Sequence, residues 1–505
     1  METVQHIKHS GPVLVGKISL IVALGLGALV LKFTLTCIYN MYFHRLRTFP
    51  GPRLAAATGM LYYYKIVVGD EVAWLDEMHK KYGEIVRIGP DRLTYVKPEA
   101  WKDIYGATLG KRLENLKDPA TLPGLANGDK SLPAEINPEN HRPRRRMYAH
   151  AFSDRALKEQ EPLIKGYVDL LVKIIREDVK KDADVKMDIS KLLNCFTFDV
   201  MADLTFGEPL GLLQQSEYTP WVAQIFLQVQ NTSLRRLGIE YRIIGVLLKY
   251  FMPEAIKEGA KNHHRQSVER VERRLRRGNA IGKPDIWKLV MQNEKNPISK
   301  SQMIADASGF MVAGTETTAT TMSAFFYYML QHTKQMQRLQ DEVRALKKED
   351  LKLESLLQLP FMAACIKETM RIYPPAPIPL FRRTPKGGNI VCGEWIPEDT
   401  RIAIPHHAAY HHPLNFKDPE SFVPEHWFPG NGYDDDREDV LNPFSVGPRN
   451  CIGLNLAYHE MRIMLASLIW NFDFELCTEC DNWDNQKVRF FWDKPPLFIK
   501  ARYIR

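Results

Sequence analysis

The stretch Phe444-Ser-Val-Gly447-Pro-Arg449-Asn-Cys451-Ile-Gly453 decides how this chain of 505 residues folds. One cysteine stands in a loop between two glycines, two residues after an arginine, and a helical run over 454–470 follows it. A cysteine at the N-terminus of a helix, beside backbone N–H groups and a cation, is stabilised as the thiolate. Glycines let the backbone approach a flat molecule closely. The stretch therefore predicts a thiolate that can bind iron.

A lone cysteine most often ends as a small apolar residue of the core. Five specified residues at fixed offsets weaken that interpretation, because such a match arises by chance in a chain of this length with a probability of about 10⁻⁴. The loop resembles the haem-binding loop of cytochrome P-450 monooxygenases. The resemblance implies that Cys451 is the axial ligand of a haem b iron. It also implies that Phe444, Gly447, Arg449 and Gly453 surround that haem.

The resemblance extends from about residue 50 to about residue 500 and implies the cytochrome P-450 fold. That fold is mainly α with small β-sheets, and here one N-terminal transmembrane helix precedes it. Length alone would indicate about three domains, but the resemblance implies one large domain. We expect a tail over 1–17, a membrane anchor over 18–43, a basic and Pro-Gly-Pro hinge over 44–55, and a catalytic domain over 56–505. Gly89-Pro90-Asp91 predicts the turn of a β-hairpin.

The composition excludes several classes of protein. Hydrophobic residues make up 45% and charged residues 25% of the chain, which are ordinary values for a globular protein. Seven cysteines do not make a disulfide scaffold in a chain of this length. The sequence has no zinc-finger spacing, aromatic RNA-binding motif or long Lys/Arg block, so nucleic acid is not an expected partner. The net charge of +8 is compatible with a membrane surface or an acidic partner and decides neither.

An uncharged, strongly apolar run separates Lys17 from Lys32, and the chain stays uncharged from there to Phe43. A bilayer core needs about 20 helical residues. Either Lys32 snorkels to one interface or the span ends there. A cleaved signal peptide and a buried core helix are the alternatives, but no clear small-residue cleavage site follows the run. The resemblance implies a single-pass anchor in the endoplasmic-reticulum membrane, with the catalytic domain in the cytosol. Pro50-Gly51-Pro52 resembles the family's hinge.

The motif Ala313-Gly314-Thr315-Glu316-Thr317-Thr318 lies midway along 301–331, a run without proline that is long enough to cross the domain. Threonine-rich helices usually reflect packing alone. However, an acid next to an alcohol can relay protons into a dry pocket. A threonine hydroxyl can also donate to the carbonyl four residues earlier, here that of Ala313. The motif matches the oxygen-activation motif of the family. The match implies that Thr317 is the alcohol, Glu316 the acid, and Ala313 and Gly314 neighbours of the haem.

Glu368-Thr-Met-Arg371 places opposite charges on one face of a helix. In the family this pair is buried beneath the haem and holds the cysteine loop in place. Its third member is normally an arginine, but here His426 stands at that position in Pro424-Glu425-His426-Trp427. An imidazole titrates near pH 6.5, so the permanent charge of the usual triad is in question. We expect His426 within hydrogen-bonding reach of the pair.

His141-Arg142-Pro-Arg144-Arg145-Arg146 resembles the region of the family that binds the haem propionates. Arginine offers planar, bidentate donors for such carboxylates. By position, His141 and Arg145 are assigned to the propionates, with Arg382 and Arg449 as further candidates. The remaining arginines could face an electron donor or form a solvated basic face.

The resulting prediction is a haem-thiolate monooxygenase that takes electrons from NADPH through NADPH–cytochrome P-450 reductase, with cytochrome b5 as an additional donor. Phe206-Gly-Glu-Pro209 and the stretch over 151–157 resemble fungal P-450s of secondary metabolism. Three apolar segments, 310–313, 376–381 and 490–492, are expected to line the pocket. The predicted substrate is therefore a neutral, lipophilic molecule of terpenoid or polyketide size. The alternatives are a haem-thiolate isomerase or dehydratase, and a membrane-anchored haem sensor or carrier without catalysis.

Overall fold

The structure is a computed structural model that describes residues 10–107, 113–122, 129–278, 285–291 and 298–505. Helices dominate the described part of the chain. The α-helices are α1 (Ser10–Tyr42), α2 (Arg53–Ala57), α3 (Met60–Val68), α4 (Glu71–Tyr82), α5 (Glu99–Tyr105), α6 (Pro138–Ala149), α7 (Asp154–Lys181), α8 (Ile189–Phe206), α9 (Leu212–Gln215), α10 (Pro220–Gln230), α11 (Thr232–Glu240), α12 (Arg242–Phe251), α13 (Glu254–Arg277), α14 (Ile286–Met291), α15 (Lys300–Gln331), α16 (Thr333–Arg344), α17 (Leu353–Leu356), α18 (Pro360–Ile372), α19 (His406–Tyr410) and α20 (Leu454–Asn471). The strands are β1 (Ile85–Gly89), β2 (Arg92–Tyr95), β3 (Leu116–Lys117), β4 (Met187–Asp188), β5 (Arg382–Arg383), β6 (Asn389–Val391), β7 (Glu394–Ile396), β8 (Arg401–Ala403), β9 (Phe472–Leu476) and β10 (Phe498–Tyr503).

The strands form three small sheets. The largest has the order β1-β2-β8-β5-β3, with β2 and β8 parallel and the other neighbours antiparallel. Its β1–β2 pair is the hairpin predicted around Gly89-Pro90-Asp91, with Ile85 opposite Tyr95. The other two sheets have the orders β4-β10-β9 and β6-β7. The architecture is therefore mainly α with small β-sheets, as the sequence predicts.

The long helix α15 is the centre of the fold. Ser299 caps its start, because the Ser299 hydroxyl accepts from the Gln302 N–H while the Gln302 side chain accepts from the Ser299 N–H. Most of its side chains are buried against α8, α18 and α20. Pro360 stands at the first turn of α18, and the helix ends ahead of Pro374 as predicted. These contacts bring the middle of α15 opposite the start of α20.

The N-terminal helix α1 stands outside the core. Its segment Ser19–Tyr42 has a mean hydropathy of 2.2 and is not buried, so by length and composition it is compatible with a membrane anchor. Helix α1 already begins at Ser10, ahead of the span predicted over 18–43, and the proline in its first turn is compatible with that start. The hinge segment is docked on the sheet, since the Arg87 N–H donates to the Pro50 carbonyl over 2.7 Å.

Candidate active site

The loop that carries Cys451 is fixed by backbone contacts. A 3₁₀ turn over Gly447–Arg449 precedes the cysteine, and α20 begins soon after it. The Cys451 N–H donates to the Phe444 carbonyl oxygen over 2.8 Å. Gly447 has a φ of +75°, and a Cβ at this position would overlap the carbonyl oxygen of Tyr105. Only glycine meets both requirements, so the backbone presents the thiol in one defined place.

The thiol of Cys451 opens into a cavity of about 300 Å³. Cys451 is an exposed, free cysteine, and it lines this cavity. Burial raises the pKa of the Cys451 thiol, and the Gly453 N–H and the Arg145 guanidinium act in the opposite direction. The lining of the cavity is mostly apolar. It includes Phe152, Met201, Phe310, Ala313, Gly314, Thr317, Thr321, Met370, Ala376, Leu380, Phe381, Phe444, Ile452, Gly453 and Leu456.

One end of the cavity is strongly basic. The predicted propionate ligands His141, Arg145, Arg382 and Arg449 all line it, and Lys117 joins them. Sequence reasoning missed Lys117, because it is an isolated lysine in an unpatterned segment. Only the pairing of β3 with β5, which sets Lys117 opposite Arg382, brings it to the site.

These basic side chains lie close together, and burial works against their charged forms. Burial and the neighbouring cations lower the pKa of His141 to about 3 and hold the pKa of Lys117 well below its usual value. Burial likewise lowers the pKa of Arg382 to about 10. His141 Nδ1 is buried without a hydrogen-bond partner among the described residues. A thiol at the floor and closely spaced basic side chains at one end fit a haem, whose propionates are carboxylates.

Arg145 and Arg449 differ from the other cations of the site, because protein groups already engage them. Arg145 donates to the Asn450 carbonyl over 2.7 Å. Arg449 pairs with Glu114 over 3.2 Å and donates to the Ile136 carbonyl over 2.8 Å. Both arginines therefore also brace the cysteine loop.

The middle of α15 faces the thiol across the cavity. The Thr317 hydroxyl lines the cavity and donates to the Ala313 carbonyl over 2.7 Å. Gly314 lines the cavity as well, and a Cβ at this position would lie 2.6 Å from Met201 Sδ, so the Met201 thioether packs where a side chain would stand. Glu316 does not line the cavity, because consecutive helical side chains point about 100° apart. Its carboxylate is paired with Lys494, and its predicted role as the acid stays a prediction.

Glu460 is another carboxyl group at the site, and sequence reasoning did not identify it. It lines the cavity from α20 and is 1% exposed, and its Oε1 has no partner among the described residues. Burial raises the pKa of Glu460 to about 8, so this carboxyl is mostly protonated at neutral pH. The cavity wall therefore gains no negative charge from it.

The predicted pocket segments are placed unequally. Phe310 and Ala313 line the cavity, and so do Ala376, Leu380 and Phe381. The expectation for 490–492 is wrong for this cavity, which none of those residues lines. Trp492 instead stacks on Tyr373 with ring centroids 4.4 Å apart and donates to the Pro374 carbonyl over 2.8 Å. An indole buried this way belongs to the packing behind α18.

The pair Glu368–Arg371 is completely buried and lies outside the cavity lining. Arg371 donates to both carboxylate oxygens of Glu368, over 2.8 and 2.9 Å. His426 Nδ1 lies 3.4 Å from Glu368 Oε2, which is the expected reach, and Trp427 Nε1 donates to the same oxygen over 3.1 Å. Although burial opposes ionisation, Arg371 and His426 hold the pKa of Glu368 below its usual value. The carboxylate therefore remains ionised at neutral pH, and its pairing contributes to stability there.

We expect His426→Arg to be tolerated, with a thermal unfolding midpoint within about 3 °C of wild type. The added charge has a partner, because Asp436 Oδ2 lies 3.8 Å from His426 Nε2 on the side away from Glu368. His426→Ala should cost about 2–3 kcal/mol, since it removes a hydrogen bond to a buried carboxylate and leaves a void. Thermal unfolding of both variants measures the difference. If the arginine variant were as unstable as the alanine variant, His426 would not stand in for the arginine that the family normally has at this position.

Comparison with known proteins gives a consistent result. The model of the cytochrome P450 family matches residues 50–501. The chain is 46% identical over 471 residues to cytochrome P450 monooxygenase FUM2 of Gibberella moniliformis, which covers 92% of this chain and 100% of the relative. It is 39% identical over 468 residues to cytochrome P450 monooxygenase AMT3 of Alternaria alternata, covering 92% and 95%. It is 38% identical over 477 residues to cytochrome P450 monooxygenase efuB of Hormonema carpetanum, covering 92% and 93%.

Proposed function

The chain belongs to the cytochrome P450 family, and we propose that this monooxygenase holds its haem through the Cys451 thiolate and oxidises a neutral, lipophilic metabolite. The observation that carries the proposal is the position of the Cys451 thiol, which opens into the same cavity that Thr317 lines. When bound, the haem supplies the binding and reductive splitting of dioxygen. Every other part of the task falls to side chains of this chain.

The propionates are assigned to the basic end of the cavity. His141, Arg382 and Lys117 line that end, and Arg145 adds charge beside the loop. Two carboxylates there would neutralise cations that repel one another, which is why we assign these residues to haem binding. Arg449 contributes mainly by bracing the cysteine loop, because its donors already reach Glu114 and two carbonyl oxygens.

Proton supply is assigned to α15. Thr317 and Thr318 of that motif both line the cavity, and the Thr317 hydroxyl donates to the Ala313 carbonyl of its own helix. The Thr317 oxygen can therefore still accept a hydrogen bond from a water molecule. Glu316 is the neighbouring carboxyl group, which passes a proton on after taking one up from water. The apolar lining excludes bulk water, so protons enter only along such a defined route.

Electrons are proposed to come from NADPH through NADPH–cytochrome P450 reductase, with cytochrome b5 as an additional donor. P450 monooxygenases generally use such redox partners. Arg142 and Arg146 on α6 are exposed, although they flank the buried or half-buried residues His141 and Arg145. A basic surface next to the haem site suits an acidic flavoprotein domain.

The catalytic domain is proposed to sit on the cytosolic face of the endoplasmic reticulum. Helix α1 supplies a span, and α12 supplies a second apolar surface. None of the side chains of α12 is buried, and Ile243, Tyr250 and Phe251 are 78% to 80% exposed. An exposed apolar helix face of this kind lies favourably in the membrane interface.

The substrate is proposed to be a terpenoid or polyketide intermediate of fungal secondary metabolism. The support is the apolar part of the cavity lining, to which Phe310, Met370, Leu380 and Phe381 contribute. Each buried CH₂ contributes about 0.8 kcal/mol, whereas an unpaired buried charge costs several kcal/mol. The similarity of this chain to cytochrome P450 monooxygenases of fungi such as Gibberella moniliformis supports a role in fungal metabolism.

Titration of the low-spin to high-spin shift of the haem tests the substrate class. The ligands should be matched pairs of one carbon skeleton, as the neutral alcohol and as the carboxylic acid. We expect the neutral member to bind at least about tenfold more tightly, because one unpaired charge outweighs one additional CH₂. Tighter binding of the acids would place a substrate carboxylate on Lys117 and overturn the neutral class.

A further inference from the structure

The C-terminal segment places a lysine on the acid of the α15 motif. Lys494 Nζ is hydrogen-bonded to Glu316 Oε1 and donates to the Thr320 hydroxyl over 2.7 Å. The side chains of Lys494 and Glu316 are only 6% and 8% exposed. Sequence reasoning did not find this pair, because 178 positions separate the two residues. Lys494 is thus the ion-pair partner of Glu316, the residue next to Thr317.

The two faces of α15 separate this ion pair from the cavity. Ala313, Gly314 and Thr317 line the cavity, whereas Glu316 and Thr320 lie on a neighbouring face, one turn apart. Glu316 Oε2 is buried and has no hydrogen-bond partner among the residues that the structure describes. One oxygen of the carboxylate is thus fixed by the lysine, while the other remains available for a proton or a water molecule.

The backbone that carries Lys494 is itself held in place. On one side, the indole of Trp492 stacks on Tyr373 and donates to the Pro374 carbonyl. On the other side, the Leu497 N–H donates to Asp188 Oδ1 over 3.1 Å. The ammonium group is therefore presented from a fixed frame. The Glu316 carboxylate can turn toward the cavity only by breaking its contact with the Lys494 ammonium group.

We propose that Lys494 is a positioning residue for proton supply, which holds the Glu316 carboxylate on the outer face of α15 so that it serves Thr317 only when this ion pair opens. The inference rests on the proposed role of Glu316 as the acid. A buried ion pair is seldom more stabilising than apolar residues of the same volume, and breaking one by removing a single partner costs about 3–5 kcal/mol. A buried pair directly beside the reacting alcohol is therefore better explained by control of the acid than by stability.

The first readout does not depend on turnover. We expect Lys494→Met to lower the thermal unfolding midpoint by about 3–5 °C, and the double variant with Glu316→Gln to recover most of that loss, because it leaves no unpaired charge. Infrared spectra of Lys494→Met should show the carbonyl band of a protonated carboxyl that the double variant lacks, since a buried carboxylate without its cation takes up a proton. Absence of both effects would overturn the ion pair itself.

The second readout is the ratio of product to NADPH consumed. We expect this ratio to fall about tenfold in Lys494→Met, less than the factor of about 100 for complete loss of a general acid, and to return in Lys494→Arg. Lys487→Met is the matched control, because Lys487 lies on the same segment and pairs with Asp70 at the surface. It should behave as wild type.

The outcomes separate the two levels of the proposal. If Glu316→Gln leaves the ratio unchanged, the proposed role of the acid fails, and the inference about Lys494 fails with it. If Glu316→Gln lowers the ratio while Lys494→Met leaves it at the wild-type value, only the positioning role of Lys494 is overturned. If Lys494→Arg does not recover the ratio lost in Lys494→Met, charge is not what positions the acid, and the proposal is likewise overturned.

Discussion

Replacement of Cys451 by serine is expected to abolish product formation while the fold stays intact. Serine has nearly the same shape, and the contacts that fix the loop come from the Cys451 N–H and from Gly447, which the change does not touch. Its hydroxyl does not ionise at neutral pH and so supplies no thiolate. Loss of groups that merely support a metal ligand costs about 10- to 100-fold, so loss of the ligand itself should exceed about 100-fold. NADPH-dependent product formation with a reductase, and thermal unfolding, measure the two halves of this result.

Cys477→Ser is the matched control for that change. Cys477 is a buried, free cysteine that does not line the cavity. Its replacement should leave product formation close to the wild-type rate. A Cys451→Ser variant that kept a tenth or more of the wild-type rate would remove the thiolate from the proposed function.

Thr317→Ala is expected to separate electron consumption from product formation. The variant should still bind haem and substrate, because within the described part of the chain the hydroxyl is bonded only to the Ala313 carbonyl of its own helix. It should continue to consume NADPH but release peroxide or water in place of product. Loss of a placed proton-transfer group costs about 10²–10⁴-fold, so the ratio of product to NADPH should fall by about 100-fold or more. Parallel measurement of NADPH, peroxide and product in one reaction gives this ratio directly.

Thr315→Ala provides the control on the same helix. Thr315 makes an equivalent bond to the Met311 carbonyl over 2.6 Å, but it is buried and does not line the cavity. Equal losses in both variants would mean that helix geometry, and not the Thr317 hydroxyl, determines the ratio. Thr317→Ser, which keeps a hydroxyl, should restore most of the product.

Much of the site could be predicted from the sequence because it is marked locally. Proline and glycine set the ends of α18, the turn before β2 and the loop of Cys451, and each acts over a few residues. The cysteine loop and the α15 motif were recognisable as contiguous stretches. The two stretches face each other across one cavity because α15 packs on α20.

The parts that could not be predicted depend on contacts between distant segments. Lys117 reaches the basic end through the register of β3 on β5, and Lys494 reaches Glu316 from the C-terminal segment. Neither lysine lies in a patterned stretch, so no local signal marks it. The expectation that residues 490–492 line the pocket failed for a related reason. Aromatic residues near a site pack either toward the cavity or behind it, and Trp492 packs behind it on Tyr373.

The absorption spectrum of the reduced, carbon-monoxide-bound protein tests the central claim most directly. The wild-type chain, reconstituted with haem, should give the thiolate-type band from which the family takes its name. Cys451→Ser should bind haem without that band, and Cys477→Ser should retain it in full. The same thiolate-type band in wild type and Cys451→Ser would contradict the account, because the iron would then have another ligand.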